Sequence, residues 1–205
     1  MRSVYVVGPA GSGKTAICLA LGLKLKEAGL KVGYLKPVGS VTMADPEDED
    51  ARLMKELLEL PADLHRIAPV TASPYYLTKF RRTEELLERI TTAYQELASE
   101  MDIMILEGTT HPYTMMGMGS DVATLAARWD SDILLVNRVD NDHSLDQLLF
   151  YNDYFTAKGL RVLGNVLNHV PRNIVEKTEG IYRPLLEEHG FRVLGIVPKH
   201  TLVAA

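Results

Sequence analysis

The stretch 4-VYVVGPAGSGKT-15 decides the fold of this chain. Four apolar residues lead into a glycine-rich run that ends in Lys14 and Thr15, and the run fits G-x-x-x-x-G-K-[ST] at every fixed position. A strand-like segment (4–8) precedes the glycines and a helix-like segment (14–28) follows them, which is the context in which this motif forms a P-loop. We therefore predict a phosphate-binding loop between the first strand and the first helix.

The residue types in this loop indicate how it would hold a nucleotide. Glycines let backbone N–H groups turn toward an anion, the ammonium of Lys14 can reach the β- and γ-phosphates, and the hydroxyl of Thr15 can ligate Mg²⁺. The positive N-terminal end of the following helix faces the same phosphates. The predicted nucleotide-binding residues are Gly8, Gly11, Ser12, Gly13, Lys14, Thr15 and Ala16, and Lys14 is also a predicted catalytic residue.

The rest of the chain repeats a strand-like run followed by helical periodicity. Because the strand-like runs are continuously apolar rather than alternating, they are expected to be buried on both faces. This pattern predicts an α/β fold, with a mostly parallel sheet and helices on both of its faces. Strands are predicted at 4–8, 31–36, 102–108, 132–137, 161–168 and 192–198, and helices at 14–28, 82–100, 120–129, 143–157 and 173–189.

The segment 37–81 departs from this alternation. It contains prolines at positions 37, 46, 61, 69 and 74 and an acidic run at 45–51, with one short helix predicted over about 48–59. Long irregular segments at the carboxyl ends of parallel strands often border a ligand crevice, so we expect this one to do so. A solvent-exposed excursion is the alternative.

Composition limits the classes of protein that the chain can belong to. Its 205 residues are 46% hydrophobic and 24% charged with a formal net charge of −5, which favours one globular domain over 1–205 and argues against nucleic acid as a partner. That domain is either complete or the N-terminal domain of a longer protein. No apolar run approaches the ~20 residues needed to cross a bilayer, and the single cysteine, Cys18, excludes an internal disulfide. We expect a cytoplasmic protein with no membrane partner.

Two acidic residues are candidate metal ligands. Glu107 ends an apolar strand and precedes Gly108, so its carboxylate should lie at the crevice edge of the sheet, where a Walker B residue would help to hold Mg²⁺. Asp50 is the other candidate, and its alternative role is an N-terminal helix charge that complements the helix dipole. Asp102 begins the strand of Glu107 at the opposite edge, so we predict that it is a turn residue.

Three further positions could carry chemistry. Lys36 follows a strand and precedes Pro37, so its ammonium should emerge near the P-loop, where it could neutralise a γ-phosphate or bind a carboxylate-bearing substrate. The run N-R-V-D at 137–140 is one substitution from the guanine-binding pattern N-K-x-D, and a helix-capping turn is the alternative. His111, in the loop after Glu107, is a possible proton carrier or an incidental loop residue.

Several motifs then occur in a recognisable order: GPAGSGKT, YLKPVGS, DARL, ILEG, GNVLN and LGIVP. Together they resemble the dethiobiotin synthetase-like P-loop family, which includes the BioD-like domain at the N-terminus of DRTGG-domain proteins and of some phosphotransacetylases. The resemblance implies Mg²⁺ and ATP as ligands, an unknown small-molecule acceptor and a homodimer. The implied site residues are Thr15, Asp50 and Glu107 for the metal, Lys36 and Ser40 for the substrate with Lys36 catalytic, and Asn168 near the nucleotide base.

Three functions remain open on this evidence. The first is an ATP-dependent ligase or ATPase that activates a carboxylate or carbamate through an acyl phosphate. The second is a regulatory, nucleotide-sensing domain, and it is favoured by the stretch EGTTHPY, because the family places small glycines after the metal glutamate, where threonine and histidine would fill the acceptor space. The third is a GTP-preferring switch that reads guanine through Asn137 and Asp140.

Overall fold

The computed structural model describes residues 2–40, 47–73, 75–79 and 83–200. The strands in these ranges are β1 (Arg2–Val7), β2 (Val32–Leu35), β3 (Val38–Ser40), β4 (Val70–Ala72), β5 (Ile103–Glu107), β6 (Asp132–Arg138), β7 (Val162–Val170) and β8 (Val193–Pro198). The helices are α1 (Lys14–Glu27), α2 (Glu49–Leu57), α3 (Leu64–Ile67), α4 (Tyr76–Lys79), α5 (Thr83–Ala98), α6 (Val122–Arg128), α7 (His143–Ala157), α8 (Val175–Lys177) and α9 (Arg183–Glu188).

Six of these strands form one parallel sheet in the order β2-β5-β1-β6-β7-β8. The central strand β1 lies between β5 and β6, with Val6 paired to Glu107 on one side and to Leu134 on the other. Because parallel strands end at the same edge, the loop after β1 and the end of β5 lie side by side. The predicted α/β fold with a parallel sheet is confirmed.

Helices cover both faces of the sheet, as the continuous apolar strands predict. On β1, Tyr5 and Val7 face a core built with α5, α6, α7 and α9, whereas Val6 faces a second core built with α1, α2 and α3. Successive residues of a strand point to opposite faces, so a strand between two helical layers must be apolar at every position.

The segment 37–81 is more regular than we predicted. Its described residues contain the predicted short helix as α2, but they also contain β3 and β4, which pair with each other in parallel, and the helices α3 and α4. The prediction that this segment is irregular apart from one short helix is therefore wrong for its described residues. The two strands are only three residues long, which is too short for periodicity to register. The predictions that fall on Pro46, Pro74 and residue 82 lie outside the described residues.

The helix predicted over 173–189 is also interrupted. A 3₁₀ turn (Arg172–Ile174) leads into α8, a π-helical turn (Thr178–Tyr182) follows, and α9 then begins with Pro184 in its first turn. Proline has no N–H to donate and its ring crowds the preceding turn, so a regular α-helical ladder does not continue through it.

Among the helices of the described residues, none combines the length and the apolar character that crossing a bilayer requires. Residues 201–205 lie outside the described residues.

Candidate functional site

The loop between β1 and α1 packs closely against neighbouring strands at the two glycines that the motif fixes, Gly8 and Gly13. A Cβ atom on Gly8 would lie 1.9 Å from the carbonyl oxygen of Val136 on β6. Gly13, which caps α1, has a φ of 86° and a Cβ there would lie 2.2 Å from Nδ2 of Asn168. Both positions therefore require glycine. At Gly8 the backbone of β6 comes too close for a Cβ atom, and at Gly13 the Asn168 side chain comes too close and the backbone is also left-handed.

Two polar side chains of this loop, those of Ser12 and Lys14, are buried. Ser12 is fully buried, and its hydroxyl has no hydrogen-bond partner among the residues that the structure describes. The ammonium of Lys14 donates to the carbonyl oxygen of Pro9 at 2.9 Å, and burial lowers the pKa of that ammonium. An unpaired buried hydroxyl and a buried cation beside a helix N-terminus are features that an anionic group would stabilise.

Glu107 lies at the end of β5, and its carboxylate contacts the first turn of α1. Its Oε1 accepts a hydrogen bond from the hydroxyl of Thr15 at 2.8 Å, and its Oε2 accepts one from the hydroxyl of Tyr34 at 2.9 Å. The residue is only 1% exposed, and burial raises the pKa of its carboxyl, although Lys36 and the two hydroxyl donors oppose that effect. The carboxylate thus lies at the end of β5 beside the loop that follows β1, and its function as a metal ligand stays a prediction.

Lys36 follows β2 and lies inside a group of three carboxylates. Its Nζ is 2.6 Å from Oδ2 of Asp50, 3.0 Å from both carboxylate oxygens of Asp48, and 3.6 Å from Oε1 of Glu107. Burial disfavours the charged form of Lys36, but Glu107, Asp48 and Asp50 outweigh it and raise the pKa of the ammonium. The ammonium therefore stays protonated, and it links Glu107 on the sheet to α2.

Asp48 is a site residue that sequence reasoning missed. It is 2% exposed, and its carboxylate accepts hydrogen bonds from the backbone N–H groups of Ala51 at 2.7 Å and Ser40 at 2.6 Å. It thus caps α2 and ties that helix to β3. The available signal was its position three residues before Ala51 at the start of a predicted helix, which is typical of an N-cap aspartate.

The donor types near the loop suit Mg²⁺, although they do not form a closed cage. The Thr15 hydroxyl and the Glu107 carboxylate are in direct contact. Asp50 is linked to Glu107 because the Lys36 ammonium pairs with both carboxylates. Within the ranges that the structure describes, no three carboxylate, imidazole or thiol side chains converge closely enough to hold a metal by themselves. Mg²⁺ commonly takes one or two carboxylates together with substrate phosphates and water, so this donor set fits that ion when water molecules or nucleotide phosphates supply the remaining ligands.

The remaining predicted site residues lie around this centre. The Asn168 amide donates to the carbonyl oxygen of Ser12 at 2.8 Å, so the structure places this side chain on the phosphate loop. The hydroxyl of Ser40 is 3.1 Å from that of Thr109, which is itself buried and 3.5 Å from the hydroxyl of Thr110. Short hydroxyl side chains therefore occupy the side of the crevice beyond Glu107.

The run at 137–140 forms the turn that was the alternative to guanine binding. Asn137 is buried and donates to the carbonyl oxygen of Ser144 at 3.1 Å, and Ser144 Oγ accepts from the backbone N–H of Asp140. The Asp140 carboxylate pairs with Arg138 at 2.8 Å. The Asn137 amide nitrogen and the Asp140 carboxylate are thus both paired within the turn that precedes α7, whereas Oδ1 of Asn137 is buried without a hydrogen-bond partner among the described residues.

Two other predictions concern single side chains. His111 stacks on Tyr113 with ring centroids 5.2 Å apart, and its Nδ1 is buried without a hydrogen-bond partner among the described residues. Asp102 lies in the bend just before β5, and its carboxylate accepts from the backbone N–H of Lys31 at 2.8 Å.

Removing the hydroxyl of Tyr34 should destabilise the protein in a pH-dependent manner. We expect Tyr34→Phe to lower the free energy of unfolding by about 1–2 kcal/mol, since the buried Glu107 carboxylate loses a hydrogen-bond donor. This donor favours the ionised carboxyl, so its loss raises the pKa of Glu107 further, and the deficit should grow as the pH rises through that pKa. Urea denaturation at acidic and alkaline pH measures the effect.

Tyr5→Phe is the matched control for Tyr34→Phe. Tyr5 is an equally buried tyrosine on β1, but it faces the opposite core. A deficit in Tyr34→Phe that does not change with pH, or an equal pH dependence in Tyr5→Phe, would contradict the assigned hydrogen bond.

The parallel sheet, the glycine-rich loop at the end of its central strand and the acidic residue on the neighbouring strand define the P-loop nucleoside triphosphatase fold. Within that class, the chain belongs to the AAA_26 family, whose model, described as an AAA domain, matches residues 2–205. This match and the relatives below confirm the resemblance seen in the sequence.

Relatives of two kinds share this domain. The ATP-dependent dethiobiotin synthetase BioD of Methanococcus vannielii is 28% identical over 95% of this chain and 92% of its own length, and that of Aquifex aeolicus is 32% identical over 82% and 76%. The phosphate acetyltransferase of Pseudomonas aeruginosa is 27% identical over 95% of this chain, which spans only 30% of that protein.

Solved structures support the fold. The signal recognition particle 54 kDa protein of Aeropyrum pernix K1 in complex with GDP superposes with a TM-score of 0.62 at 16% identity, over 97% of this chain and 42% of that one. The kinase domain of the Escherichia coli tyrosine kinase ETK superposes with a TM-score of 0.53 at 18% identity, over 81% and 66%. At these identities the likeness concerns the fold alone.

Proposed function

We propose that this chain binds Mg·ATP and transfers its γ-phosphoryl group to a carboxylate or carbamate acceptor. The observation that carries the proposal is the convergence of Thr15, Lys36 and Glu107, from three separate elements, beside the phosphate loop. Two relatives that align over most of their own length are named as ATP-dependent synthetases, which supports ATP over other nucleotides.

The residues of the loop would hold the nucleotide phosphates. The backbone N–H groups of Gly11, Gly13 and Lys14 and the N-terminus of α1 provide donors, and the Lys14 ammonium would exchange the Pro9 carbonyl for phosphate oxygens. Thr15, Asp50 and Glu107 would hold Mg²⁺, which when bound neutralises charge on the β- and γ-phosphate oxygens. The remaining loop positions of the proposed site are Gly8, Ser12 and Ala16.

The chemistry that these groups support is charge neutralisation and positioning rather than nucleophilic catalysis by the protein. An oxygen of the acceptor attacks the γ-phosphorus, and the bond from that phosphorus to the β,γ-bridging oxygen breaks. ADP leaves with the electron pair, and the acceptor becomes an acyl phosphate. Lys36 would stabilise the negative charge on the transferred group, and Ser40 would contact the acceptor.

A nucleotide-sensing domain without an acceptor is the second candidate. One observation favours it: Thr109 is buried and its hydroxyl lies 3.1 Å from that of Ser40, the residue proposed to contact the acceptor, so these two side chains would take up part of the acceptor space. In that case the domain would bind or slowly hydrolyse ATP, and its output would be a change in a partner. Homodimerisation is proposed from the family alone.

One set of measurements tests both candidates. Calorimetric titration with ATP, GTP and ADP, each with and without Mg²⁺, should give the tightest binding for Mg·ATP. Phosphate release is then followed with and without carboxylic acids, or with diamines and bicarbonate. We expect at least one acceptor class to increase the rate, and a rate that no acceptor changes would favour the sensor.

GTP preference is the outcome that would redirect the proposal. Tighter binding of GTP than of ATP, lost in Asp140→Ala, would support the guanine-binding function of Asn137 and Asp140. No binding of any nucleotide would overturn both candidates.

A further inference from the structure

We propose that Asp48 is a positioning residue that retains the ammonium of Lys36 in the crevice when Mg²⁺ takes Asp50 and Glu107. The inference rests on the proposed Mg·ATP function. It concerns how the three carboxylates around Lys36 can bind the lysine ammonium and a metal ion at the same time. Asp48 is not one of the residues proposed to bind the metal, the nucleotide or the acceptor. Among the described residues it contacts Lys36, the first turn of α2 and the end of β3.

The three carboxylates around Lys36 differ in how firmly they are held. Asp48 is buried and receives two backbone N–H groups, one from each of two elements, so its carboxylate has a fixed position. The Asp50 side chain is 48% exposed and lies in the first turn of α2, so it can change rotamer at little cost. Glu107 is buried but shares its Oε1 between Thr15 and Lys36.

Lys36 and a metal ion would therefore compete for the same oxygens. Two of the three carboxylates that the ammonium contacts, those of Asp50 and Glu107, are the proposed metal ligands. When all three are ionised, they carry three negative charges against one positive charge on Lys36. The difference equals the charge of one divalent cation, so Lys36 and its three carboxylates form a neutral group when the metal is present. The Lys14 ammonium, which also interacts with Glu107 and Asp50, offsets part of the negative charge when the metal is absent.

Asp48 allows the Lys36 ammonium and the metal ion to be bound at the same time. Because both of its oxygens are 3.0 Å from Nζ, Lys36 keeps a buried counter-ion after the other two carboxylates turn to the metal. Without the charge of Asp48, Lys36 would depend on Asp50 and Glu107, and a metal would have to displace a buried ammonium that has no other partner.

A double-mutant cycle with Mn²⁺ alone tests this competition. Free Mn²⁺ is measured by its electron paramagnetic resonance signal for the wild type, Asp48→Asn, Lys36→Gln and the double variant. Asparagine caps helices as well as aspartate does, so D48N removes the charge while its amide oxygen can still accept from Ala51. We expect D48N to weaken Mn²⁺ binding about tenfold in the presence of Lys36 but only about twofold in the K36Q background.

Controls separate positioning from a general structural effect. Asp121 is a matched control, because it is a buried N-cap aspartate that accepts from Ala123 and Thr124 on α6. D121N should leave Mn²⁺ affinity within about twofold of the wild type. Thermal melts establish that each variant folds, and Lys36→Met replaces K36Q if the latter melts more than about 10 °C lower.

The outcomes distinguish this inference from the proposed function. Equal weakening by D48N in both backgrounds, or no Mn²⁺ binding by any of the four proteins, would overturn the role of Asp48. Because Mn²⁺ is added without nucleotide, that result does not depend on ATP. Calorimetry with ATP on the same proteins reports separately whether the nucleotide site exists.

Discussion

Replacing Lys14 by alanine is expected to lower the affinity for Mg·ATP about 100-fold or more, which corresponds to about 2.7 kcal/mol of binding free energy. In the structure the Lys14 ammonium is buried at the N-terminus of α1 and donates a hydrogen bond to the Pro9 carbonyl oxygen, so it is positioned to meet a phosphate. A buried charge-assisted bond to phosphate is much stronger than one exposed to water. Calorimetric titration of both proteins measures the change.

Lys24→Ala is the matched control, because Lys24 lies on the same helix and its side chain is 78% exposed in an ion pair with Glu27. This substitution should leave nucleotide affinity unchanged, since a surface pair contributes little to stability or to a distant site. Both variants should melt close to the wild type. Retention of Mg·ATP binding by Lys14→Ala would remove the basis of the proposed phosphate site.

Replacing Glu107 by glutamine is expected to slow Mg²⁺-dependent phosphate release about 100-fold or more. Glutamine keeps the shape of the side chain and one oxygen that can accept from Thr15 or Tyr34, but it removes the charge that would help to hold the metal. Binding of ATP in the absence of Mg²⁺ should change by less than about threefold, because in the proposed site the phosphates would contact the loop rather than this carboxylate.

The comparison of rate with metal-free binding identifies the cause of the loss. Asp102→Asn serves as the control, since Asp102 precedes the same strand at its other end and accepts from Lys31. It should leave the rate unchanged. If E107Q retained the wild-type rate and its dependence on Mg²⁺, Glu107 would not be a metal ligand, whatever its hydrogen bonds in the structure.

The sequence predicted the part of the site that is contiguous in the chain. The loop from Gly8 to Thr15 has its conformation determined by glycines at set spacing between a strand and a helix, and all of these are local features. The same holds for the six main strands, whose unbroken apolar character indicates burial on both faces. The placement of Glu107 followed from a rule for parallel sheets, because all strands end at a common edge.

The contacts that organise the cluster around Lys36 were not predictable in the same way. Tyr34 is two residues before Lys36, so the alternation of an extended chain places both side chains on the same side of the sheet. Nothing in the local sequence indicates that β5 is the strand beside β2. The role of Asp48 depends on α2 packing against this edge. Its capping function has a local signal, whereas its pairing with Lys36 has none.

The chain by itself therefore determined the fold class, the phosphate loop and the edge of the sheet where chemistry would occur. Tertiary structure alone decided which carboxylates Lys36 contacts, that Asn168 binds the loop through the Ser12 carbonyl, and that the hydroxyls of Ser40 and Thr109 contact each other. The physical reason is the distance in sequence over which each property is set. Backbone conformation and burial follow from neighbouring residues. Pairing between distant side chains depends on the order of the strands in the sheet, which local periodicity does not encode.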